Sequence, residues 1–468
     1  MRGRVGALVL LGVACGLGVM WAIAGGPSWY GVAAVGLYSA KIVLSWRPYA
    51  AASRKTAANR TAASRTAAAG EDAGPAAAGG SSPGPGQDAA TGLRIGVAVP
   101  VYNEDPAMLG ACLKSLLAQS RPVQSVVVID DCSSDARALD EARAWGAAFA
   151  AAGVKLIVEA FPENRGKRHG LMRALELQPD AQALLGVDSD TILRSDAVEK
   201  LVAAYAQPGV KVVTGLVLAL NYDKNLLTRL IDLRYAQAFL VDRGAQSRLG
   251  AMLCACGSLA LYSAQVLRKY RKDFLNQHFL GRAAVFGDDR RLTNYCLLEG
   301  RAILEESAVA YTAVPERMGH FLRQQVRWNK SFFRESLWVL RAMPVTKAAF
   351  WFTFAEISSW FVFTISLAVV LVIAPLVTAQ LLLGPYLLYL ALIAYGRAFR
   401  YPDLAGVRVS RKDRLIGFAI APVYGLLHVG VLVWLRLYAL ATLRSGRWGT
   451  RKKIEVRLAG PASAALAA

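Results

Sequence analysis

The chain opens with two apolar runs, residues 5–24 and 29–46, separated by a short uncharged turn. Each run is close to the length that a helix needs to cross about 30 Å of hydrocarbon. Arginine and lysine side chains flank the pair at both outer ends, so the positive-inside rule predicts a hairpin whose ends face the cytoplasm. We therefore predict an N-terminal transmembrane hairpin over residues 1–49. A cleaved signal peptide is the alternative, but the second run follows at once.

The next segment, residues 50–92, contains mostly Ala, Gly, Ser, Thr and Pro with a few arginines. It has almost no large apolar side chains to bury, which is typical of a flexible tether. Over residues 93–316, short apolar runs alternate with helical patterns. This alternation predicts an α/β domain with a mostly parallel sheet and helices on both faces. Ligands of such sheets bind at the carboxyl ends of the strands.

Beyond this domain the pattern again favours the membrane. Residues 317–345 combine basic and aromatic side chains in an amphipathic pattern, which predicts helices at the membrane interface. Residues 346–443 hold three further apolar segments and form the predicted C-terminal transmembrane channel region. The last segment is too short for two full spans, so we expect a re-entrant or interfacial arrangement broken near Pro422 and Gly425. The basic tail, residues 444–468, is then cytosolic.

The composition agrees with a membrane protein, because 55% of the 468 residues are hydrophobic. The formal net charge of +21 suggests acidic partners such as nucleotide-linked substrates, anionic lipid or nucleic acid. Much of this charge flanks the predicted membrane segments, where lipid accounts for it, so nucleic acid is not expected as a partner. The six cysteines form no CxxC pair, which fits a reduced cytosolic domain without structural zinc.

Asp188, Ser189 and Asp190 follow directly after an apolar run in the alternating domain. Two carboxylates at a strand end can hold a divalent cation, because Mg²⁺ and Mn²⁺ favour a few carboxylates together with substrate phosphates over a full protein cage. Such a cation neutralises a departing diphosphate. An Asp-x-Asp taken alone is more often a surface loop, but its place after a strand favours a site in which Asp190 and Asp188 bind Mn²⁺ or Mg²⁺.

Two more groups of polar residues follow strand-like runs. Asp130 and Asp131 could accept hydrogen bonds from a base or a ribose, and capping of a helix is the alternative for Asp131. Lys167 and Arg168 come after a glycine where a helix begins, which suits contact with phosphate or uracil. For these two cations, a solvated basic turn is the alternative.

Asp288 and Asp289 precede a helix, where carboxylates can simply stabilise the helix N-terminus. The functional alternative gives one of them the general-base role, because sugar transfer requires a proton to leave the acceptor hydroxyl as it attacks the anomeric carbon. Arg327 and Trp328 would then clamp a diphosphate and an acceptor sugar, since arginine offers a fork to phosphate and tryptophan a flat face to a pyranose ring. A basic-aromatic helix is, however, also typical of a membrane interface.

The order of the motifs along the chain carries a family resemblance. The motifs are VPVYNED, DDCSSD, NRGKRHG, VDSDT, FGDDRRLTNY, RQQVRWNKSFFRES and the closing Trp448-Gly449-Thr450-Arg451. Together they resemble the processive family 2 glycosyltransferases, and among these the bacterial membrane-integrated hyaluronan synthases. The resemblance implies a GT-A catalytic domain on the cytosolic side of a multi-pass, monomeric plasma-membrane enzyme. It implies inverting transfer from UDP-N-acetylglucosamine and UDP-glucuronate, with the growing polysaccharide extruded through the lipid bilayer.

The resemblance also implies a role for each motif. Asp289, beside Asp288, would be the catalytic base, and Asp190, with Asp188 next to it, would bind the metal ion. The residues expected to hold the uridine diphosphate are Tyr102, Glu104, Asp130, Asp131, Lys167, Arg168 and Asp188. The residues expected to line the acceptor site or to close over the nucleotide are Gln324, Arg327, Trp328, Trp448, Thr450 and Arg451.

The chain departs from this family in the acceptor region. Where the family usually has Cys-Ser-Gly-Pro-Leu ending in Tyr-Arg, this chain has Ala-Cys-Gly-Ser-Leu at 255–259, ending in Tyr262-Ser263. The loss of the proline and the arginine leaves the sugar selectivity open. A chitin or chitin-oligosaccharide synthase that uses only UDP-N-acetylglucosamine is therefore an alternative. A non-catalytic membrane receptor for a nucleotide sugar is a remote one.

Overall fold

The structure is a computed structural model of the whole chain. It describes residues 41, 43–45, 92–284, 286–369, 375–376, 383–402, 404 and 406–445. The predicted tether and all but a few residues of the predicted N-terminal hairpin lie outside the described residues. Trp448, Thr450 and Arg451 also lie outside them, so the roles implied for these three residues stay predictions.

The α/β domain is built on one sheet of eight strands, in the order β3-β2-β1-β4-β7-β6-β10-β5. Four of the neighbouring pairs are parallel, and β7 and β5 run antiparallel to their neighbours. The prediction of a mostly parallel sheet is therefore confirmed. The strands, with the separate small hairpin β8–β9, are β1 (Ile95–Val101), β2 (Ser125–Asp130), β3 (Lys155–Ala160), β4 (Ala183–Gly186), β5 (Thr191–Leu193), β6 (Val210–Ala219), β7 (Ala260–Ser263), β8 (His278–Phe279), β9 (Arg282–Ala283) and β10 (Arg301–Thr312).

Strands β1, β2 and β4 are buried along almost their whole length, which is why they are continuous apolar runs without alternation. Helices between the strands cover the sheet, and their starts follow local chemistry. Proline stands in the first turn of α1, where its missing N–H costs nothing, and Asn225 caps α6 through the N–H of Thr228. These helices are α1 (Pro106–Leu117), α2 (Arg137–Ala144), α3 (Gly146–Ala151), α4 (Lys167–Glu176), α5 (Ala197–Tyr205), α6 (Leu226–Gln237), α7 (Gly244–Arg248), α8 (Ala264–Leu275) and α9 (Asp288–Glu299).

In its described residues the C-terminal part consists of helices joined by short turns. Its helices are α10 (Met318–Ala342), α11 (Ala348–Ala368), α12 (Leu383–Ala398), α13 (Arg411–Ala419), α14 (Ala421–Leu427) and α15 (Val433–Ala441). A π-helical turn, His428–Leu432, joins α14 to α15, and a second one, Ala238–Arg243, follows α6. Two stretches are long and apolar enough to cross a membrane, Ala348–Ile365 and Ala421–Ala441. Only 28% and 22% of their residues are buried in the protein, so most of their residues lie at its surface.

The last apolar segment agrees with its prediction only in part. The chain turns at Ile420, two residues before Pro422, and then runs as one helix from Ala421 to Ala441, so there is a break beside the proline but none at Gly425. Pro422 falls in the first turn of α14, a position that tolerates proline. Gly425 lies inside α14, and a Cβ there would overlap the side chain of Leu390 on α12. This glycine therefore lets two helices pack closely instead of ending one of them.

Helix α10 is one continuous 25-residue helix that packs against α9, α11 and α15. Its buried side includes polar and charged residues as well as Phe333 and Val339. Two of these, Arg334 and Glu335, lie deep beside Arg291 of α9, whose guanidinium donates to Glu335 at 2.6 Å. The helix that this basic-aromatic pattern predicted therefore makes a buried polar contact with the α/β domain.

One buried carboxylate joins the α/β domain to the segment after α12. Asp232 on α6 is fully buried and accepts hydrogen bonds from the N–H of Ala219 and the hydroxyl of Tyr401. Burial raises the pKa of Asp232 to about 6, and these hydrogen bonds offset the shift only in part. Between pH 4 and pH 6 the folded protein therefore holds a proton that the unfolded chain releases, and this group's contribution to stability falls as the pH rises.

We expect Asp232→Asn to abolish this dependence, so the variant should gain about 3 kcal/mol relative to the wild type between pH 4 and pH 7. Thermal midpoints of both proteins in detergent, measured across that range, test this, since other titrating groups cancel in the difference. Tyr401→Phe is the matched control, and it should move the step to higher pH because Asp232 loses a donor. A difference that stays flat across the range would show that Asp232 ionises normally.

Candidate active site

The carboxyl ends of the central strands open into a cavity of about 1260 Å³. The loops after β1, β2 and β4 bring Tyr102, Asp131, Asp188 and Asp190 to its wall, as expected for a sheet of this kind. Asp289, from the first turn of α9, lines the same cavity. The structure therefore brings together residues that are far apart in the sequence and were predicted to act on one substrate.

Lys167, the first residue of α4, lies between two of these acids. Its Nζ is 2.5 Å from Oδ1 of Asp188 and 3.9 Å from Oδ1 of Asp289. Burial by itself would lower the pKa of Lys167, but the two carboxylates outweigh it and raise that pKa. The pKa of Asp289 is raised because burial disfavours its charged form, and Lys167 opposes this shift. Lys167 thus holds a positive charge between the candidate metal ligand and the candidate base.

The turn before β7 donates a hydrogen bond to each of these two carboxylates. The N–H of Gly257 donates to Oδ2 of Asp289 at 3.0 Å, and the hydroxyl of Ser258 donates to Oδ2 of Asp188 at 2.7 Å. A Cβ on Gly257 would overlap Asp289 and the ammonium group of Lys167. Glycine is required here because the backbone approaches the acids so closely.

Asp190 lies deeper than Asp188 in the same wall. Its Oδ1 accepts hydrogen bonds from the hydroxyls of Thr312, at 3.0 Å, and Thr191, at 3.4 Å. Among the described residues no group of three or more His, Cys, Asp or Glu side chains is arranged for a metal ion. Two carboxylates on one cavity wall still fit Mg²⁺ or Mn²⁺, because Mg²⁺ is usually bound by one or two carboxylates and completed by water and substrate phosphates.

Asp288 and Arg168 are placed differently from their neighbours in the sequence. They form a buried ion pair, with Nη2 of Arg168 2.6 Å and its Nε 3.0 Å from Oδ1 of Asp288. The guanidinium also lies over the ring of Phe274, 5.0 Å from its centroid. Arg168 is therefore turned away from the cavity, where uridine diphosphate contact was expected. Its partner is Asp288, whose side chain is buried, whereas the side chain of Asp289 is about one-third exposed.

Three further residues were predicted to hold the nucleotide, and in the structure they accept hydrogen bonds from loops near the cavity. Asp131 accepts the N–H groups of Arg165, at 2.7 Å, and Gly166, at 2.8 Å, so it holds the loop that leads into α4. Burial raises the pKa of Asp131, and these two N–H groups lower it in part. Asp130 accepts from Ser133 and Glu104 from Ser189, and neither carboxylate lines the cavity.

The predicted acceptor residues share one face of α10. Gln324, Arg327 and Trp328 are three and four positions apart, and all three line the cavity. The indole ring of Trp328 is 45% exposed and lies 6.2 Å from the ring of Tyr235, centroid to centroid. Two aromatic rings side by side form a surface on which a sugar ring can stack.

Sequence reasoning missed several residues that complete this wall. Tyr235 comes from α6, and the guanidinium groups of Arg290 and Arg436 lie over the ring of Phe332, at 5.1 Å and 5.7 Å. Arg290 directly follows the two aspartates of the Gly-Asp-Asp-Arg motif, so its motif could have pointed to it. Tyr235 and Arg436 lie on helices with no local motif, and only the fold brings them here.

The cavity continues from these acids between helices of the C-terminal part. Its wall there includes Glu356 and Phe363 of α11, Arg397 of α12 and Tyr424 of α14. Glu356 accepts hydrogen bonds from Gln246, at 2.8 Å, and from Arg290, at 3.3 Å, so α11 is tied to the residue after Asp289.

Comparison with known proteins supports the resemblance seen in the motifs. Residues 93–331 match the family model described as "Glycosyltransferase like family 2". The chain is 34% identical to "Hyaluronan synthase" of Streptococcus pyogenes over 363 residues, 78% of this chain and 84% of the relative. It is 33% identical to "N-acetylglucosaminyltransferase" of Azorhizobium caulinodans over 370 residues, 77% and 87% of the two chains. The crystal structure of S. aureus TarS 1-349 is more distant, at 16% identity, with a TM-score of 0.39 over 76% of this chain and 93% of that one.

The family match and the observed sheet confirm the GT-A type of α/β fold that the motifs implied. They also show an enzyme, which removes the non-catalytic receptor from the alternatives. The chain belongs to the family 2 glycosyltransferases and is a hexosyltransferase similar to the hyaluronan synthases.

Proposed function

We propose that this enzyme is a processive, inverting synthase that makes hyaluronan from UDP-N-acetylglucosamine and UDP-glucuronate and extrudes it across the plasma membrane. The observation that carries this proposal is the continuous cavity, which joins Asp188 and Asp289 to the membrane-side helices α11, α12 and α14. A polymer that grows beside Asp289 would pass directly between these helices. The 34% identity to a hyaluronan synthase supports the choice of product.

In the transfer step, Asp289 is the base. Its carboxylate takes the proton of the acceptor hydroxyl while that oxygen attacks the anomeric carbon of the donor sugar. The bond between the anomeric carbon and the diphosphate breaks as the new glycosidic bond forms, and UDP leaves with the bonding electrons. Asp289 suits this role because its side chain opens to the cavity, whereas Asp288 is buried in its pair with Arg168.

The donor end of the cavity is built around acids. Asp188 and Asp190 would hold Mg²⁺ or Mn²⁺, which when bound neutralises the charge that develops on the leaving diphosphate. Lys167 keeps Asp188 in place beside Asp289. Tyr102 and the loop held by Asp131 form the rest of this wall and would contact the uridine.

The acceptor end is built around aromatic rings and cations. Trp328 and Tyr235 would stack against the terminal sugar, and Arg327 and Gln324 would contact its polar groups. Beyond them the charged residues of the wall comprise six cations and two acids. They are Lys41, Arg234, Arg243, Arg290, Arg397, Arg436, Asp242 and Glu356. This excess of positive charge favours a polymer that carries carboxylates over a neutral one.

A second candidate is a chitin-type synthase that uses UDP-N-acetylglucosamine alone. The 33% identity to N-acetylglucosaminyltransferases and the altered run at 255–259 favour it. The cationic wall of the exit does not favour this candidate, because a chain of N-acetylglucosamine has no carboxylate to pair with the cations.

The two candidates differ in the donors that they need. In membranes that contain the protein, with Mg²⁺ or Mn²⁺ present, we expect long polymer only when both UDP-sugars are supplied together. Radiolabelled product should be degraded by hyaluronidase and resist chitinase. Long, chitinase-sensitive polymer from UDP-N-acetylglucosamine alone would instead establish the chitin-type activity.

We expect Asp289→Asn to slow UDP release by about 10²- to 10⁴-fold, which is the usual contribution of a positioned base. Asparagine keeps the shape of the side chain and an oxygen for the N–H of Gly257, so the KM for the donor should change little. Asp140→Asn is the control, because Asp140 is an exposed acid on α2 that pairs with Arg143. A variant with unchanged turnover would exclude Asp289 as the base.

A further inference from the structure

The turn before β7 contacts both acids of the proposed centre through adjacent residues. Gly257 donates its N–H to Asp289 and Ser258 donates its hydroxyl to Asp188. Lys167 contacts the other oxygen of each carboxylate. Each carboxylate is therefore held by two contacts, one with Lys167 and one with this turn.

Strand pairing and hydrogen bonds hold this turn in place. Strands β4 and β7 pair antiparallel, with Gly186 opposite Ala260, so the residues before β7 must lie beside the loop that follows β4. Two threonine hydroxyls fix the turn on both sides of Ser258. Thr293 accepts the N–H of Ala255, at 2.9 Å, and Thr214 donates to the carbonyl of Leu259, at 2.7 Å.

Ser258 itself has little freedom within this turn. Its side chain is buried, with 6% of the residue exposed, and the N–H of Leu259 donates to the carbonyl of Cys256 at 3.0 Å across it. A hydroxyl fixed in this way can orient a carboxylate, and interactions that orient a metal-binding side chain affect affinity and rate strongly.

We propose that Ser258 is a positioning residue for the transfer reaction, which sets the orientation of the Asp188 carboxylate relative to Asp289. This serine stands where the family that the chain resembles usually has proline, and proline has no hydroxyl to donate. The inference rests on the proposed function in so far as Asp188 acts on the diphosphate of the donor.

This role of Ser258 depends on its hydroxyl group. Ser258→Ala removes the donor to Oδ2 of Asp188 and leaves the contact of Oδ1 with Lys167, so the carboxylate can rotate towards the lysine. Ser258→Thr keeps a hydroxyl at the same place. We therefore expect Ala and Thr at this position to behave differently, although both change the packing of the turn.

The experiment compares these two variants with Ser115→Ala. Ser115 is a buried serine on α1 whose hydroxyl donates to the carbonyl of Cys112 at 2.7 Å and which does not line the cavity, so it controls for loss of a buried hydroxyl. One readout is UDP release with both UDP-sugars present, separated into kcat and the KM for UDP-N-acetylglucosamine. The second is the affinity for Mn²⁺ without any donor, measured by electron paramagnetic resonance. Thermal midpoints check that each variant is folded.

For Ser258→Ala we expect an about 10- to 100-fold lower kcat and a weaker affinity for Mn²⁺ by a similar factor. Ser258→Thr and Ser115→Ala should stay within about threefold of the wild type on both readouts. The proposal is overturned if Ser258→Ala matches the wild type in Mn²⁺ affinity and kcat. It is also overturned if Ser258→Thr fails as badly as Ser258→Ala, since the shape of the turn would then matter and not the hydroxyl.

These outcomes are separate from a failure of the proposed function. Both candidate functions use UDP-N-acetylglucosamine, and Mn²⁺ binding needs no donor. If the wild type made polymer from that single donor, the hyaluronan proposal would fall while the comparison of Ser258 variants stayed valid.

Discussion

The contact of Lys167 with Asp188 and Asp289 is the interaction on which the rest of the site depends. Two carboxylates this close in a poorly solvated cavity repel each other, and an ammonium group between them reverses the sign of that interaction. The lysine can stand there because Gly166 adopts a left-handed conformation, with a φ of 87°, and Asp131 holds its N–H. The start of α4 thus fixes the separation of two acids that belong to different parts of the chain.

The same helix start explains why adjacent residues have different tasks. The side chain of Lys167 lies in the cavity beside Asp289, and the side chain of Arg168 extends behind the cavity to Asp288. Two consecutive cations of α4 therefore pair with two consecutive acids of α9. Breaking the buried Arg168–Asp288 pair would leave an uncompensated charge, which is costly, so this pair keeps the start of α9 against α4. Asp289 is then presented to the cavity by a helix that cannot easily shift.

The fold and much of the site could be predicted from local sequence. Buried strands such as β1 and β2 are apolar runs, and polar residues at strand ends, including Asp188 and Asp190, mark the ligand-binding edge whatever the rest of the chain does. The role of Arg168 could not be predicted, because a cation in a glycine turn looks the same whether it faces phosphate or a buried acid. The contacts of Tyr235, Ser258 and Gly425 could not be predicted for a related reason, since their partners are distant in sequence and contacts of that kind leave no periodic pattern.

The charge of the cavity wall changes sign along its length: the wall near Asp188 and Asp289 is rich in acids, and the wall near α11 and α12 is rich in cations. Under the proposed function these are a donor end, which needs a cation to accept a diphosphate, and an exit, which would attract a polyanion, and a processive enzyme has to balance the two. A polymer that must keep moving cannot be held too tightly, because transport requires binding that is weak enough to leave. Asp242 moderates the exit, since it pairs with Lys41, at 3.2 Å, Arg397, at 3.4 Å, and Arg234, at 3.6 Å. Three cations shared with one fixed carboxylate attract a passing carboxylate less strongly than three unshared ones would, so the exit can guide an anionic chain without trapping it.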